Sequence, residues 1–543
     1  MKKILFFLLI SNFSFAQWSI SNAERSTLIS IYNATNGENW NRTWDLDKDP
    51  RNWFGISVKN GAVTELNLSG NALKGNFPSN LSSFPKLTKL DLSNNQLSGD
   101  VAVISSLSLL TKLDISNNRL TGDPTTSLTG LFNVDDLALG GNLFVIPDVN
   151  GLLQNFNNIK TLNLSDLGLI TIPAKITAFT NLETLILDNN PIPANAFGNI
   201  AGHPKLTNLS LSGLQLTQIP TQVSQLTQLT SLNLSNNALT EQATSGFSNL
   251  TNLVWLSLEK NQLAQVPSQI PQLKKLQTLN LGRNKISGGT AVLAGLNNLQ
   301  QLFLNNNLLS GNIPSEFLAM PKLLMLNLNS NQLSGDLNDK LPEITHLSNN
   351  RFNKSQLTNY VVDHNVQTDL DYSPQRYDSA KEVLGVLGQP AKLDQSLSGS
   401  DYTFTWYKNL DQKTNSTTAD LNFGSVQESD YATYTAEAYT YSVLDNSVVF
   451  DLSLFREPIA LVKVLGTEES AKYFNIYPNP TSEFLNIVST KYDIQKVHIY
   501  DLSGKQMLSE TKSKINVSKL PSGVYMLIIK TQEGNKNFKF IKQ

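Results

Sequence analysis

Cysteine is absent from this chain of 543 residues. Thiolate metal sites, cysteine nucleophiles and disulfide-capped repeats are therefore excluded. Small secreted modules of eukaryotes usually carry disulfides. Their absence favours a bacterial exported protein whose domains are large enough to be held together by burial alone.

Charge and catalytic side chains are also sparse. Only 16% of the residues are charged and the formal net charge is −2, so the chain lacks the basic excess typical of nucleic-acid-binding proteins. The four histidines lie in unrelated contexts, and the sequence contains no zinc-protease, serine-hydrolase or P-loop motif. We expect no catalytic residue, no metal site and no cofactor. A polysaccharide hydrolase that uses two exposed carboxylates is the least favoured alternative.

Long hydrophobic runs are missing after the N-terminus. The chain begins MKKILFFLLISNFSFA, with two lysines, an apolar run too short to span a bilayer, and small residues before Gln17. This order predicts a signal peptide over residues 1–16, with a buried N-terminal helix as the alternative. No later stretch reaches the ~18 apolar residues of a membrane span, so no transmembrane anchor is predicted.

The dominant feature of the sequence is a repeat of the pattern LxxLxLxxNxL. Twelve copies begin between residues 63 and 323 at intervals of 23 to 25 residues, and a truncated copy begins at 344. The L-x-L part predicts a short strand with its leucines on one side. Stacked copies then form a parallel sheet over one continuous core, roughly 60 Å long at ~4.8 Å per strand. The asparagine at the ninth place is expected to bond backbone groups in the turn.

Residues 63–352 thereby resemble a leucine-rich repeat protein. The continuations LSGNIPSEF (309–317) and LKGNFPSNL (73–81) are similar to the plant-type subclass, whereas LTQIPTQV (216–223) is shorter. The resemblance implies an α/β solenoid, a horseshoe with a parallel β-sheet, that binds chiefly proteins on its concave face. Leu167 and Leu214 replace the asparagine, and we expect their turns to be closed differently.

Residues 17–62 resemble the N-terminal cap of such a solenoid. The first coil would otherwise expose its core. Trp40, Trp44 and Trp53 are large enough to cover it. A platform of tryptophans that stacks a ligand is the alternative interpretation.

The chain changes character after the repeats. Residues 353–380 are polar and irregular, which predicts a final coil and a linker. Period-two alternation over 381–465 predicts an antiparallel sandwich of about seven strands. The segment SDYATYTAE resembles the tyrosine corner of immunoglobulin-like domains, with Tyr434 at the corner, and Trp406 fits the buried tryptophan. Ala436 stands where the second cysteine would be. An immunoglobulin-like β-sandwich is predicted, with a generic sandwich as the alternative.

Residues 470–543 alternate in the same way, between turns rich in proline and glycine. Their motifs are Tyr477-Pro478-Asn479-Pro480, Asp501-Leu502-Ser503-Gly504 and Gly523-Val524-Tyr525. In this order they resemble the type A C-terminal sorting domain of the type IX secretion pathway in Bacteroidota. The resemblance implies a small C-terminal β-sandwich that contacts the type IX secretion machinery. It also implies export across the outer membrane, after which the protein is surface-attached or released. A further adhesive sandwich is the alternative.

Side chains at the third, fifth and seventh places of each repeat are expected on the concave face. They are small or of mixed charge in the early and middle copies, and larger in the late ones. Exposed aromatic groups among amides are typical of an interface centre. The predicted ligand-binding residues are Trp255, Glu259, Arg283, Gln301, Phe303 and Met325. Alternatively, these side chains lie flat and fill gaps between small neighbours.

Together these features predict an exported binding or adhesion protein, secreted or on the cell surface. Its predicted partner is a protein bound on the concave face of the solenoid. A carbohydrate-binding surface protein with a glycan as partner is the alternative, because Trp255 could stack a sugar ring. No enzymatic activity and no nucleic-acid partner are expected.

Overall fold

The computed structural model describes residues 19–337, 340–364, 370–443, 449–463, 472–501 and 506–543. These residues form two compact units, one ending at Tyr372 and the other beginning at Ser373. The predicted signal peptide at 1–16 and residues 502–504 of the second sorting motif lie outside the described residues. In the described part of the chain, no helix has both the length and the apolarity needed to cross a bilayer.

The first unit is a solenoid in which each repeat forms one coil and gives one short strand to a common sheet. In the described residues the sheet has fifteen strands, arranged in chain order. They are Ile56–Lys59, Ala62–Asn67, Lys89–Asp91, Lys112–Asp114, Asp136–Ala138, Thr161–Asn163, Thr184–Ile186, Asn208–Ser210, Ser231–Asn233, Trp255–Ser257, Thr278–Asn280, Gln301–Phe303, Met325–Asn327, Ile344–His346 and Leu370–Asp371. The first pair is antiparallel and the following pairs are parallel. The predicted parallel stack is confirmed. We number the coils from coil 1 at Ala62–Asn67 to coil 13 at Ile344–His346.

The leucines of the repeat form the core between the sheet and the opposite wall. Leu90, Leu92, Leu113 and Leu232 are completely buried. Leucines at the fourth place lie directly beside one another in neighbouring strands, as Leu162 does beside Leu185. Burial of one such side chain stabilises the fold by about 1.5–3 kcal/mol, so each coil depends on its neighbours for stability.

The ninth-place asparagines form a ladder of hydrogen bonds along the turns, as predicted. The amide of Asn118 donates to the carbonyl oxygens of Leu92 (2.9 Å) and Ile115 (3.2 Å). Its side-chain oxygen accepts the N–H of Leu97 at 3.0 Å. One side chain thereby satisfies buried backbone groups of two consecutive coils, which would otherwise destabilise the turn.

The turn at Leu167 closes without an asparagine of its own. Asn190, one coil later, accepts the N–H groups of both Leu167 (3.0 Å) and Leu169 (2.9 Å). The backbone is left-handed at Asp166 and again at Gly168, with φ of 52° and 67°. At the coil of Leu214, Asn237 accepts the N–H of Leu216 at 3.0 Å. The next coil thus supplies the missing acceptor in both places.

The wall opposite the sheet changes with the repeat subclass. Where the sequence is of the plant type, a second set of strands pairs in parallel. These strands are Lys74–Asn76, Gln96–Gly99, Arg119–Gly122, Leu143–Phe144, Ser310–Gly311 and Gln332–Leu333. Short helices also lie along this wall. The α-helices are Val149–Leu153, Ser315–Leu318 and Lys354–Asp363. The 3-10 helices are Leu81–Ser83, Ala102–Ser106, Thr126–Leu128, Ala174–Ala178, Ala194–Ala196, Gly198–Ile200, Val223–Gln225, Glu241–Asn249, Ile270–Gln272 and Thr290–Gly295.

The N-terminal cap is tied to coil 1 by a buried glutamate. The cap contains the α-helix Asn22–Ala34 and the 3-10 helices Gly37–Asn39 and Pro50–Asn52. Ser21 and Glu24 form a capping box at the start of the α-helix, and Glu24 also accepts the N–H of Val63 at 3.1 Å. Trp40, Trp44 and Trp53 are 5%, 4% and 3% exposed. Their burial makes them the core of the cap and argues against a ligand platform.

The first sandwich of the second unit has nine strands in the described residues. They are Gln375–Tyr377, Lys381–Gly385, Ala391–Leu393, Thr403–Lys408, Gln412–Lys413, Leu421–Phe423, Thr433–Val443, Val449–Arg456 and Ile459–Lys463. The sheet begins before residue 381, because Gln375–Tyr377 pairs with Val449–Arg456. The last strand is interrupted at Pro458, which has no N–H to donate to a ladder. These two features account for nine strands where about seven were expected.

The side chains that carried the immunoglobulin resemblance lie together in this core. Trp406 and Ala436 are paired across two strands and completely buried. The hydroxyl of Tyr434 donates to the carbonyl of Asp430 at 2.8 Å, the bond expected of a tyrosine corner. The strand Lys381–Gly385 runs parallel to Ile459–Lys463. The immunoglobulin-like assignment itself stays a prediction.

The C-terminal segment is a smaller sandwich of two antiparallel sheets. One sheet contains Phe474–Tyr477, Phe484–Ser489 and Lys514–Asn516, and the other contains Gln506–Glu510, Lys496–Tyr500, Gly523–Thr531 and Gly534–Lys542. Two predicted motifs have structural roles. The side-chain oxygen of Asn479 accepts the N–H of Ile541 at 2.8 Å, which fastens the last strand. The hydroxyl of Tyr525 donates to the carbonyl of Pro521 at 2.8 Å.

Candidate functional site

The two lysines on the concave face of coils 1 to 4 are held in ion pairs with carboxylates. Lys89 lies 2.9 Å from Glu65, and Lys112 lies 3.8 Å from Asp91 and 3.4 Å from Asp136. Burial opposes the charged form of Lys112, but Asp136 and Asp91 outweigh it and the pKa of Lys112 is raised. Together with Asp114, these side chains give the concave face of coils 1 to 4 two lysines and four carboxylates, a net charge of −2.

The middle coils carry small polar groups that are largely bonded to each other. Asp188 accepts the hydroxyl of Ser210 at 2.6 Å and the N–H of Ser212 at 2.7 Å. Burial raises the pKa of Asp188, although both hydrogen bonds oppose the shift. The amide of Asn233 donates to the hydroxyl of Ser210 at 3.0 Å. Binding here would have to break bonds that the sheet already makes.

Large side chains appear beside the polar groups in coils 9 to 12, where the hydroxyl of Thr278 still donates to Gln301 at 3.2 Å. Trp255, Thr278, Gln301 and Met325 lie side by side in one row across the strands, at the third place of their repeats. Phe303 lies in the fifth-place row, next to Asn280 of coil 10. Gln301 is exposed, and the three apolar side chains are half-buried. They are therefore partly packed on the sheet and partly open to solvent.

Coil 10 has smaller concave side chains than the coils on its two sides, which carry Trp255 and Phe303. We call this shallow place the step at coil 10. Its concave residues are Thr278, Asn280 and Gly282, all small or medium in size. Trp255 on coil 9 and Phe303 on coil 11 stand about 10 Å apart along the stack, two strand spacings. A side chain at Gly282 would collide with Asn305, since an added Cβ lies 2.8 Å from the oxygen of that amide. An alanine at this position would therefore require the amide of Asn305 to shift.

Glu259 and Arg283 form an ion pair at the end of these strands. Nε of Arg283 lies 3.4 Å from Oε1 of Glu259, and the amide of Asn280 donates to Oε2 at 3.1 Å. The side chains of Arg283 and Glu259 are 60% and 35% exposed. The carboxylate is thus held by two partners, while most of the guanidinium faces solvent.

All six residues predicted from the sequence therefore lie on four consecutive coils, across about 15 Å of one face. Whether they bind a ligand remains a prediction. Two nearby cations were missed, Lys260 and Lys285, which are exposed at the eighth and tenth places. Sequence reasoning looked for binding side chains at the third, fifth and seventh places and added Arg283, at the eighth place, only as an edge residue. Among the described residues, no group of three histidine, aspartate or glutamate side chains is arranged to hold a metal ion.

Protein-family models match two parts of this chain, the repeats and the C-terminal sandwich. A leucine-rich repeat model matches residues 62–84, 86–107, 109–131 and 298–320, and a second such model matches 204–263. A model described as a secretion system C-terminal sorting domain matches residues 475–543. The chain is a leucine-rich repeat protein with a C-terminal sorting domain. The sorting domain directs this leucine-rich repeat protein through type IX secretion to the cell surface or beyond.

Individual relatives share the repeat region. A probable inactive receptor kinase of Arabidopsis thaliana is 34% identical over 82 residues, which are 15% of this chain and 12% of that kinase. An internalin of Listeria monocytogenes is 26% identical, with 52% of this chain and 92% of that one covered and a TM-score of 0.39. The Arabidopsis receptor kinase HAESA, solved with the peptide hormone IDA and the co-receptor SERK1, is 26% identical with a TM-score of 0.47. That alignment covers 67% of this chain and 63% of that one.

The repeat architecture supports a role in protein interaction. Solenoids of stacked repeats present long concave surfaces, which proteins of this type use for binding. The fold is typically a non-enzymatic scaffold.

Proposed function

We propose that this exported leucine-rich repeat protein binds a protein partner on the concave surface of coils 9 to 12, in adhesion to another cell or surface. The contact residues are Trp255, Glu259, Arg283, Gln301, Phe303 and Met325. One observation carries the proposal: among the described residues, coils 9 and 11 are the coils that place aromatic side chains on the concave face. In the coils before them, polar groups mostly bond to each other.

The half-burial of these groups supports binding energetically. Aromatic side chains dominate protein interfaces because each removes a large apolar area from water. Trp255 and Phe303 are already partly packed on the sheet. Fixing them in a complex therefore costs less side-chain entropy than fixing fully exposed groups.

Each predicted domain of the chain has a role in this function. In the proposal, residues 1–16 direct the chain into the export route, 17–62 cap the solenoid and 63–352 bind. Residues 353–380 end the solenoid, 381–465 act as an immunoglobulin-like spacer and 470–543 are recognised by the secretion machinery.

A glycan partner is the second candidate, and the step at coil 10 favours it. Thr278 lies directly beside Trp255, and with Asn280 and Gln301 it places a hydroxyl and two amides on this face, where a glycan would have to replace the bond that Thr278 donates to Gln301 at 3.2 Å. Carbohydrate recognition commonly combines ring stacking with such hydrogen-bonding groups.

The double variant Trp255→Ala with Phe303→Ala tests the surface. We expect a protein captured by the wild-type chain to bind the variant at least about thirtyfold more weakly, because interface aromatic groups contribute about 2 kcal/mol or more. The melting temperature should change little, since both side chains are half-buried on an exposed face. Affinity is measured by biolayer interferometry and the melting temperature by circular dichroism.

The matched control is Phe132→Ala with Ile170→Ala. These two apolar side chains are 59% and 69% exposed but do not lie at concave places of the repeat. Unchanged affinity in the Trp255 and Phe303 variant would refute the proposed surface. Binding seen on a glycan array alone would favour the carbohydrate alternative, and turnover of a polysaccharide would favour a hydrolase.

A further inference from the structure

We propose that Lys260, Arg283 and Lys285 form a basic rim that binds acidic side chains of the protein partner. The rim borders the aromatic surface of coils 9 to 12. This inference rests on the proposed function and specifies the chemistry of the partner: an acidic segment that also carries apolar residues.

Lys260 and Arg283 have a left-handed backbone, which long side chains adopt less easily than glycine, asparagine or aspartate. At the eighth place of every coil from 1 to 13 the chain is left-handed, with φ between 52° and 71°. Ten of these places are filled by glycine, asparagine or aspartate, which adopt this conformation most easily. They are Gly70, Asn94, Asn117, Gly141, Asp166, Asn189, Gly213, Asn236, Asn306 and Asn349. The exceptions are Lys260, Arg283 and the uncharged Ser330.

Two exceptions on consecutive coils, both cations, argue for a function at this point. Long side chains in the left-handed region strain the backbone, and such strain concentrates at functional sites. Asparagine fits the conformation at Lys260 and Arg283 better, as it does at Asn236 and Asn306 on the flanking coils. Stability alone therefore does not explain the two cations.

The charge of the solenoid divides at the same place. Residues 63–252, coils 1 to 8, contain 8 basic and 12 acidic residues, a net charge of −4. Residues 253–343, coils 9 to 12, contain 7 basic and 5 acidic residues, a net charge of +2. An acidic partner is therefore attracted to the late coils and repelled by the early ones.

The rim also keeps most of its charge unpaired. Glu259 is its one acidic neighbour in an ion pair, bound to Arg283 and shared with Asn280. Lys260 and Lys285 are exposed and, within the described residues, their side chains make no ion pair or hydrogen bond. Three cations against one carboxylate leave a local charge of +2. In a partner, a carboxylate would bind to these cations while an apolar residue next to it packs on the ring of Trp255.

Selection from a displayed library of random dodecapeptides on the purified full chain tests the proposal. We expect aspartate and glutamate to be enriched severalfold in the selected peptides, next to leucine or phenylalanine. The variant Lys260→Asn with Arg283→Asn should lose that enrichment. Lys274→Asn with Lys275→Asn is the matched control, because it removes the same charge from two lysines that already bond Gly295 and Asn252.

The melting temperature is the second readout. Relief of the left-handed strain should raise it by about 1–3 °C in the Lys260 and Arg283 variant, so weaker binding cannot be attributed to unfolding. A melting temperature that falls would overturn the strain argument. Acidic enrichment that is absent in the wild-type chain, or that persists in this variant, would overturn the proposal. So would rim-dependent binding that appears only with anionic oligosaccharides on an array.

The outcomes separate this inference from the proposed function. Peptides without acidic residues that still depend on Trp255 and Phe303 would leave the concave surface standing and remove the basic rim. Peptides that depend on neither group would remove both.

Discussion

Deletion of residues 470–543 should abolish the appearance of the protein on the cell surface and in the medium, and trap it in the periplasm. The reason is that the C-terminal sandwich matches a sorting domain over residues 475–543, whereas the signal peptide predicted at 1–16 serves only the inner membrane. The expected effect is complete loss rather than a reduced rate. Fractionation of the producing bacterium, with immunoblots of periplasm, outer membrane and medium, measures it.

Deletion of the first sandwich, residues 373–463, is the control, because it removes a segment of similar size but leaves the sorting domain. That variant should still leave the cell. A reporter carrying the signal peptide and residues 464–543 should also be exported. Surface display of the chain without 470–543, or retention of the reporter in the periplasm, would contradict the assigned route.

The solenoid could be predicted from sequence because its core is periodic. The fourth-place and sixth-place leucines fix which side of each strand is buried, and a slip by one residue would expose them all. Continuations such as LSG at 309–311 also mark where a second strand follows, at Ser310–Gly311. The sandwich was less predictable. Gln375–Tyr377 pairs with strand Val449–Arg456, which is distant in sequence, and no local pattern reveals such a contact.

The sequence predicted which side chains of the candidate site lie on the concave face. It did not predict which of their charges are paired. Alternation places Trp255 and Phe303 on the concave face. It does not show that Lys89 and Lys112 are paired with carboxylates while Lys260 is unpaired, because the pairing depends on distances between coils. The signal for Lys260 and Arg283 was present as a column of residues that favour left-handed backbone, but its meaning required the φ angles.

Asn190→Leu should be the most destabilising single substitution on the turns of the solenoid. Asn190 is 1% exposed, accepts the N–H groups of Leu167 and Leu169, and donates to the carbonyl oxygens of Leu164 and Leu187 at 2.9 and 2.8 Å. The two coils beside it already lack the asparagine, so no neighbouring amide can take over. Leaving four backbone groups unsatisfied should lower the free energy of unfolding by about 3–6 kcal/mol.

Asn163→Leu provides the comparison that isolates the ladder. Asn163 lies half-buried on the concave face, where its side chain accepts one hydrogen bond, from the N–H of Ser165 at 3.0 Å. Its loss should cost about 1 kcal/mol or less, because water can replace that bond. Urea unfolding measures both variants, and amide exchange at Leu167 and Leu169 should accelerate at least about a hundredfold in Asn190→Leu alone, the equivalent of about 3 kcal/mol. Equal losses in the two variants would mean that leucine packing, and not the asparagine ladder, closes the turns.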